Sequence, residues 1–305
     1  MPFTLPEEEL AELRGEMSRF VRARQAEICD ALERADGAGR FSSDAWDRAG
    51  GGGGLSRVMQ DGAIFEKAGV SVSEVHGALD PAFARRLGGG EAPEFHAVGL
   101  SLVLHPRSPR VPTVHLNVRL IQRGASAWFG GGADLTPYYL EEDDARHFHG
   151  VLRDVCDRHA LEPDAYARFK RAADAYFFLK HRGEHRGVGG IFFEDPKGAP
   201  AAQLAFVTDV ARAFLPAYLP IVERRRALPW GEPERRWQEI RRGRYVEFNL
   251  VLDRGTVFGL ETGARTESIL MSLPPRVRWV YDHRPEPGSA EAALLDVLRS
   301  PREWA

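Results

Sequence analysis

The stretch GLSLVLHPRSPRVPTVHLNVRL, residues 99–120, holds two runs of alternating side chains parted by a proline-rich turn. The spacing predicts strands over residues 97–105 and 113–122. Side chains alternate across a strand, so Val114, Leu116, Val118 and Leu120 share one face, and His115, Asn117 and Arg119 the other. The first run is built alike, with Leu100, Leu102 and Leu104 on one side and Ser101 and His105 on the other. If the two strands pair, their polar faces merge into one wall of a cavity. An edge strand with one wet face gives the same pattern, because antiparallel sheets commonly have one solvated side. Arg119 on such a wall suits a carboxylate, since its planar fork donates two hydrogen bonds together.

Downstream, WFGGGADLTPYY begins at Trp128. Three glycines permit close backbone approach or positive φ. Asp134 follows at once, with aromatic residues on both sides. This reads as an aromatic-lined glycine loop whose carboxylate accepts hydrogen bonds from the N–H groups of a heteroaromatic ligand. The alternative is a tight turn capped by Asp134. The GxGxxG spacing of a dinucleotide fingerprint is missing. His147 and His149, two residues apart on an expected helix, point to different faces and form no HExxH-type pair. Eight arginines and four glutamates between residues 222 and 244 leave a local excess of +4. The interleaved acids favour a solvated or salt-bridged helix face over nucleic-acid binding, though the stripe could attract a polyanionic substrate.

Working outward, Pro6, three glutamates and apolar residues at helical spacing from Leu10 to Leu32 predict an N-terminal amphipathic helix over about 6–35. Gly50 to Gly54 read as a glycine loop, followed by a hairpin over 55–75. Helices are expected near 140–158, 163–181, 201–226 and 232–242, and a last one near 289–298. A long hairpin is expected over about 244–262, turning at Asp253-Arg254-Gly255, with two more strands at 267–273 and 277–282. Strand pairs joined by short turns, with helices in blocks, indicate an α+β fold in which helices cover an antiparallel sheet. No linker or repeat divides the 305 residues, so one domain over 1–305 is expected.

The formal charge of −3 carries no polycation signature for nucleic acid. Two cysteines, Cys29 and Cys156, are too few for a disulfide framework or a four-cysteine zinc site. The acidic start does not read as a signal peptide, and no unbroken apolar run approaches the ~20 residues of a membrane helix. A cytoplasmic protein without a membrane span is the expectation.

Five blocks together resemble the aerobic, oxygen-dependent coproporphyrinogen III oxidase family: SRVMQDGAIFEKAGVSVSEVHG, residues 99–120, WFGGGADLTPYY, FFLKHRGEHRGVGGIFFED and RGRYVEFNLVLDRGTVFGLETGARTESILMSLPP. Their order and spacing run from about residue 50 to the C-terminus. The resemblance implies a homodimer whose subunit is a large antiparallel sheet between helix layers, a three-layer α/β/α arrangement. It implies oxidative decarboxylation of the ring A and B propionates of coproporphyrinogen III in haem biosynthesis, giving protoporphyrinogen IX, carbon dioxide and hydrogen peroxide. Dioxygen is the co-substrate, and no organic cofactor is implied. Substrate contacts are implied for Ser101, Asn117, Val118 and Arg119, and for the loop Gly263, Ala264 and Arg265. His115 is implied to be important in catalysis, with Asp134 and Asp253 lining the porphyrinogen site. For the bacterial branch it further implies a divalent-metal site at His105, His115, His149 and His181. Dimer contacts are implied over about 245–280. The relatives' loop commonly reads Gly-Gly-Arg where this chain has Gly263-Ala264-Arg265. Scattered histidines leave a metal-dependent hydrolase as a competing class, and a non-catalytic tetrapyrrole carrier as another.

Overall fold

The structure, a computed structural model, describes residues 2–78, 94–261 and 264–305, apart from the Phe258 side chain. Six strands run as an antiparallel meander: β2 (Ser42–Asp47), β3 (Gly52–Gln60), β4 (Phe65–Ala78), β5 (Glu94–Pro106), β6 (Thr113–Arg123) and β7 (Ser126–Thr136). The free side of β7 is shared by β1 (Phe3–Thr4) and β10 (Gly189–Glu194), which makes eight strands among the described residues. A two-stranded ribbon, β8 (Phe178–Leu179) with β9 (Glu184–His185), stands apart.

Alternation decides the two faces of the sheet. Val70, Val72, Leu100, Leu102, Leu116 and Val118 are almost completely buried on one of them. Over this face lie α1 (Glu7–Asp36) and α4 (Pro200–Arg225), with α2 (Glu142–His159) packed on α4. Helix α1 forms for the expected reasons. Glu7, Glu8 and Glu9 sit at its positive end, and Leu10, Leu13, Met17, Val21, Ile28 and Leu32 bury one stripe. Each such side chain contributes ~1.5–3 kcal/mol when fully buried, so an aspartate at Met17 would strip a central contact. Helix α4 is long and apolar enough to cross a membrane, but 61% of its most apolar window is buried inside the protein. Asp209 and Arg212 interrupt it, and its apolar positions belong to the core.

The opposite face is polar, and C-terminal elements pack across part of it: α5 (Glu232–Val251), α6 (Arg254–Glu261), α7 (Thr266–Leu270) and the segment following. Helix α3 (Ala165–Tyr176) packs on β10, and α8 (Ala290–Arg299) lies near β9. Helices on both faces of an antiparallel sheet make the expected α/β/α sandwich. At the β4 bulge between Phe65 and Lys67, Glu66 turns inward to Arg235 and Arg242 of α5, at 2.8 and 2.7 Å. These ion pairs pin α5 to the sheet. Burial opposes the charge on Glu66, but Arg235 and Arg242 outweigh it and hold the pKa down to about 2.

Three expectations are overturned. The hairpin over 244–262 is helical throughout its ends: α5 continues to Val251, and α6 occupies Arg254–Glu261. The strands expected at 267–273 and 277–282 are replaced by α7 and irregular chain. A short apolar run satisfies a period of two and a period of 3.6 alike. Burial of Arg242, Tyr245, Phe248 and Asn249, with Leu250 and Val251 left exposed, shows which period operates. Nor do the glycines form loops, because Gly52 to Gly54 lie within β3 and Gly130 to Gly132 within β7.

Candidate active site

Strand register gathers most of the expected residues on the polar face. Asp44, Ser56, Ser71, Ser101, Asn117, Gly132 and Phe192 stand opposite one another from β2 to β10, forming one row. The next row places Gly99, Arg119, Gly130 and Glu194 together, and the row on the other side Val103, His115, Asp134 and Gly190. Small side chains in a row leave a shallow floor. Gly132 shows how close the strands approach, since a Cβ there would meet the Ile191 carbonyl oxygen at 2.6 Å. Val118 belongs elsewhere: its side chain is fully buried on the apolar face, so only its backbone can face a ligand.

His115, Asp134 and Arg186 form a chain. His115 Nδ1–H donates to Asp134 Oδ1 at 2.9 Å, leaving Nε2 as the ring's proton acceptor. Arg186 grips the same carboxylate with Nη2 at 2.7 Å and Nε at 3.2 Å. Asp134 is 1% exposed, whereas the His115 side chain is 20% exposed. His115 is therefore the member of the pair open to the floor. Asp134 stands behind it, which corrects the expectation that this carboxylate receives ligand N–H groups directly. Burial opposes ionisation of Asp134, but the Arg186 guanidinium and His115 outweigh it and hold its pKa below the usual value.

Arg186 was not among the expected residues. Its guanidinium lies 4.3–4.6 Å from the ring centres of Phe177, Tyr245 and Phe248, and Nη1 donates to Asn249 Oδ1 at 2.8 Å. Tyr245, Phe248 and Asn249 share one face of α5, so the segment mistaken for a strand supplies the socket. Burial disfavours the charged guanidinium, but Asp134 more than compensates and its pKa is raised. A carboxylate between Ala133 and Leu135 in a buried strand was the available signal, because a buried charge requires a partner.

At the floor's margin, Arg119 donates to Asn117 Oδ1 at 2.6 Å and to Glu194 Oε1 at 2.8 Å. Arg265 pairs with Asp44 at 2.5 Å, beyond the serines, and Ser268 Oγ lies 2.9 Å from Ser56 Oγ. Four strand spacings separate Asp44 from Asn117 in the row, about 19 Å at ~4.8 Å each. The two cations thus flank the floor from opposite ends. Ala264 N–H donates to the Gly259 carbonyl at 2.9 Å. Gly263 lies outside the described residues. Asp253 precedes α6 and accepts from Thr256 N–H and Oγ, at 2.8 and 2.9 Å, and from Tyr176 OH at 2.9 Å. It caps a helix instead of turning a hairpin, and both its oxygens already have donors.

The four histidines implied as metal ligands do not converge. His105 Nε2–H donates to the Ser272 carbonyl at 2.9 Å, and Nδ1 faces Thr113 Oγ1 at 3.2 Å. Burial, helped by Arg242, keeps its pKa well below the ordinary value. His149 donates to the Val188 carbonyl at 3.1 Å and accepts from Tyr166 OH at 2.8 Å, with burial pushing its pKa down to about 4. His181 pairs with Glu247 at 2.8 Å. A ring nitrogen that donates to a carbonyl has no lone pair for a cation. Among the described residues no three His, Cys, Asp or Glu side chains stand together as metal ligands. These residues do not fit a metal centre built from the four.

A family model described as coproporphyrinogen III oxidase matches residues 16–304. An oxygen-dependent coproporphyrinogen-III oxidase, chloroplastic, from Glycine max is 50% identical over 309 residues, covering 96% of this chain and 80% of that protein. Coproporphyrinogen-III oxidase 1, chloroplastic, from Arabidopsis thaliana is 47% identical, covering 98% of this chain and 81% of the relative. The Hordeum vulgare oxygen-dependent coproporphyrinogen-III oxidase, chloroplastic, is 49% identical over 96% of this chain and 80% of its own. The chain belongs to the coproporphyrinogen III oxidase family.

Proposed function

We infer that this chain is an oxygen-dependent coproporphyrinogen III oxidase. It converts the ring A and B propionates of coproporphyrinogen III to vinyl groups in haem biosynthesis, yielding protoporphyrinogen IX. In each round the bond to the carboxylate carbon breaks, carbon dioxide leaves, and that electron pair becomes the vinyl double bond. The hydride equivalent lost from the β-carbon, with one further proton, reduces dioxygen to hydrogen peroxide. The electron-rich pyrrole makes that carbon oxidisable.

The observation that carries this reading is His115 at the edge of the polar floor, held by Asp134 and Arg186 (2.9 and 2.7 Å). Asp134 fixes the tautomer, so the free Nε2 can take the proton of that hydride equivalent while its two electrons pass to dioxygen. The buried carboxylate stabilises the imidazolium that results, and the proton is then handed on to the peroxide. Arg186 keeps Asp134 ionised for that task. Ser101 and Asn117 offer hydrogen bonds along the floor. Arg119 and Arg265 offer cations for acid arms at its two ends. Incubation with coproporphyrinogen III under air and under argon tests the reading. Vinyl product under air alone is expected; tight binding with no product would mark a carrier, and oxygen-independent turnover another chemistry.

A homodimer through about 245–280 is proposed with it, supported by the exposed Leu250, Val251, Leu260, Trp279 and Tyr281. A cytoplasmic location is proposed as well, in keeping with two buried thiols and no disulfide.

A further inference from the structure

We propose that Arg254 joins Arg119 to form a two-guanidinium seat for one substrate propionate, and that Glu194 occupies this seat until the substrate displaces it. The proposal deepens the oxidase reading and rests on it for the identity of the carboxylate. Glu194 Oε1 accepts from Arg119 at 2.8 Å and from Arg254 at 3.4 Å, so one oxygen of one acid serves two cations. The cluster of three side chains carries a net positive charge beside the floor.

The sheet is shaped for this meeting. Glu194 on β10 and Arg119 on β6 lie on either side of Gly130 in β7, in register. They touch across β7 because Gly130 has no side chain, and a Cβ there would stand 3.0 Å from the Arg119 guanidinium. Asn117 Oδ1 holds the other arm of Arg119 at 2.6 Å, so its aim does not depend on Glu194. Arg254 arrives from α6 and lies 4.9 Å from the Tyr176 ring centre, and Tyr176 is stacked on Phe192 at 4.2 Å. Phe192 stands opposite Gly132 in the serine row, so the aromatic pair supports Arg254 at the end of the floor where Arg119 projects.

Glu194 and Arg254 are 43% and 61% exposed, which suits an exchangeable pair better than a structural one. Exposed ion pairs contribute little to folding and exchange readily with solvent. A propionate entering between the guanidiniums would present two oxygens to two forks. Glu194 then acts as an internal competitor that rejects weakly charged ligands.

The test is titration of coproporphyrin III, the fluorescent oxidised analogue with the same four propionates, into wild type, Arg254→Ala and Glu194→Gln. Arg254→Ala should weaken binding roughly fivefold, and Glu194→Gln should tighten it roughly threefold. Both side chains are on the surface, so the unfolding midpoint should stay unchanged. In turnover assays KM should follow these shifts while kcat stays within about twofold. Wild-type affinity in both single variants would overturn the seat, whatever the turnover. The expected affinity pattern in a chain that forms no vinyl product would support the seat and remove the oxidase reading.

Discussion

Arg186→Met would take the guanidinium from Asp134 while leaving an unbranched side chain in the socket of Phe177, Tyr245 and Phe248. The carboxylate, 1% exposed, would keep only the His115 Nδ1–H as a side-chain hydrogen-bond donor among the described residues. Removing one side of a buried ion pair costs ~3–5 kcal/mol. Asp134→Asn in the same chain removes the stranded charge, so the double variant should recover at least ~2 kcal/mol of that loss. The pH dependence has a definite sign. In the wild-type chain the Asp134 pKa lies below 3.8, so its contribution is present above that value and fades as pH falls through the folded pKa. In Arg186→Met burial loses its main opponent, the Asp134 pKa moves up, and protonation relieves the variant. The gap to wild type should therefore narrow as pH falls from neutral toward the raised pKa of the variant. Equilibrium urea unfolding of the two single variants and the double variant measures every term. Additivity within ~0.5 kcal/mol, or a gap independent of pH, would refute the reasoning.

Further expectations concern the floor and its supports. Glu66→Gln should destabilise the fold by about 3 kcal/mol at neutral pH. With a folded pKa of about 2 against 4.5, that contribution is fully present above about 4.5 and disappears toward 2, which denaturation across acid pH would follow. Arg119→Lys should raise KM about tenfold with a smaller change in kcat, because a point charge replaces a fork; unchanged steady-state constants would count against a carboxylate contact. His149→Phe should lower stability by ~1–3 kcal/mol, since Tyr166 OH and the Val188 carbonyl lose their partner, and elemental analysis should show the same metal content as wild type.

The central strands were legible because both faces of the sheet obey a period of two. Leu100, Leu102, Val114 and Leu116 identify the core face, and the same alternation places Ser101, His115, Asn117 and Arg119 together on the other. Residues 244–273 were misread because their apolar side chains are split between core contacts and exposed positions, so hydrophobicity alone carries no clear period. What orders that segment and the turn of helix before it is polar: Glu66 to Arg242, Arg186 to Asn249, and His105 to Ser272. These pairings span 176, 63 and 167 residues, and side chains so far apart in the chain leave no local pattern. The same distance hid Arg186 from the site, and it hid the Ser272 and Val188 carbonyls that occupy His105 and His149, which the family resemblance had implied as metal ligands. Glu194 and Arg254 escaped notice because their meeting with Arg119 depends on an empty position in β7, which is visible only once register is known.

If His115 takes the proton whose loss allows the vinyl group to form, purified His115→Ala should fold like the wild-type chain yet turn over coproporphyrinogen III roughly 100-fold or more slowly under air. The aerobic rate of vinyl product formation, read beside the unfolding midpoint of the same preparation, is the direct measurement. A wild-type rate from the folded variant would contradict His115 as the proton acceptor and leave the polar floor without its proposed chemistry.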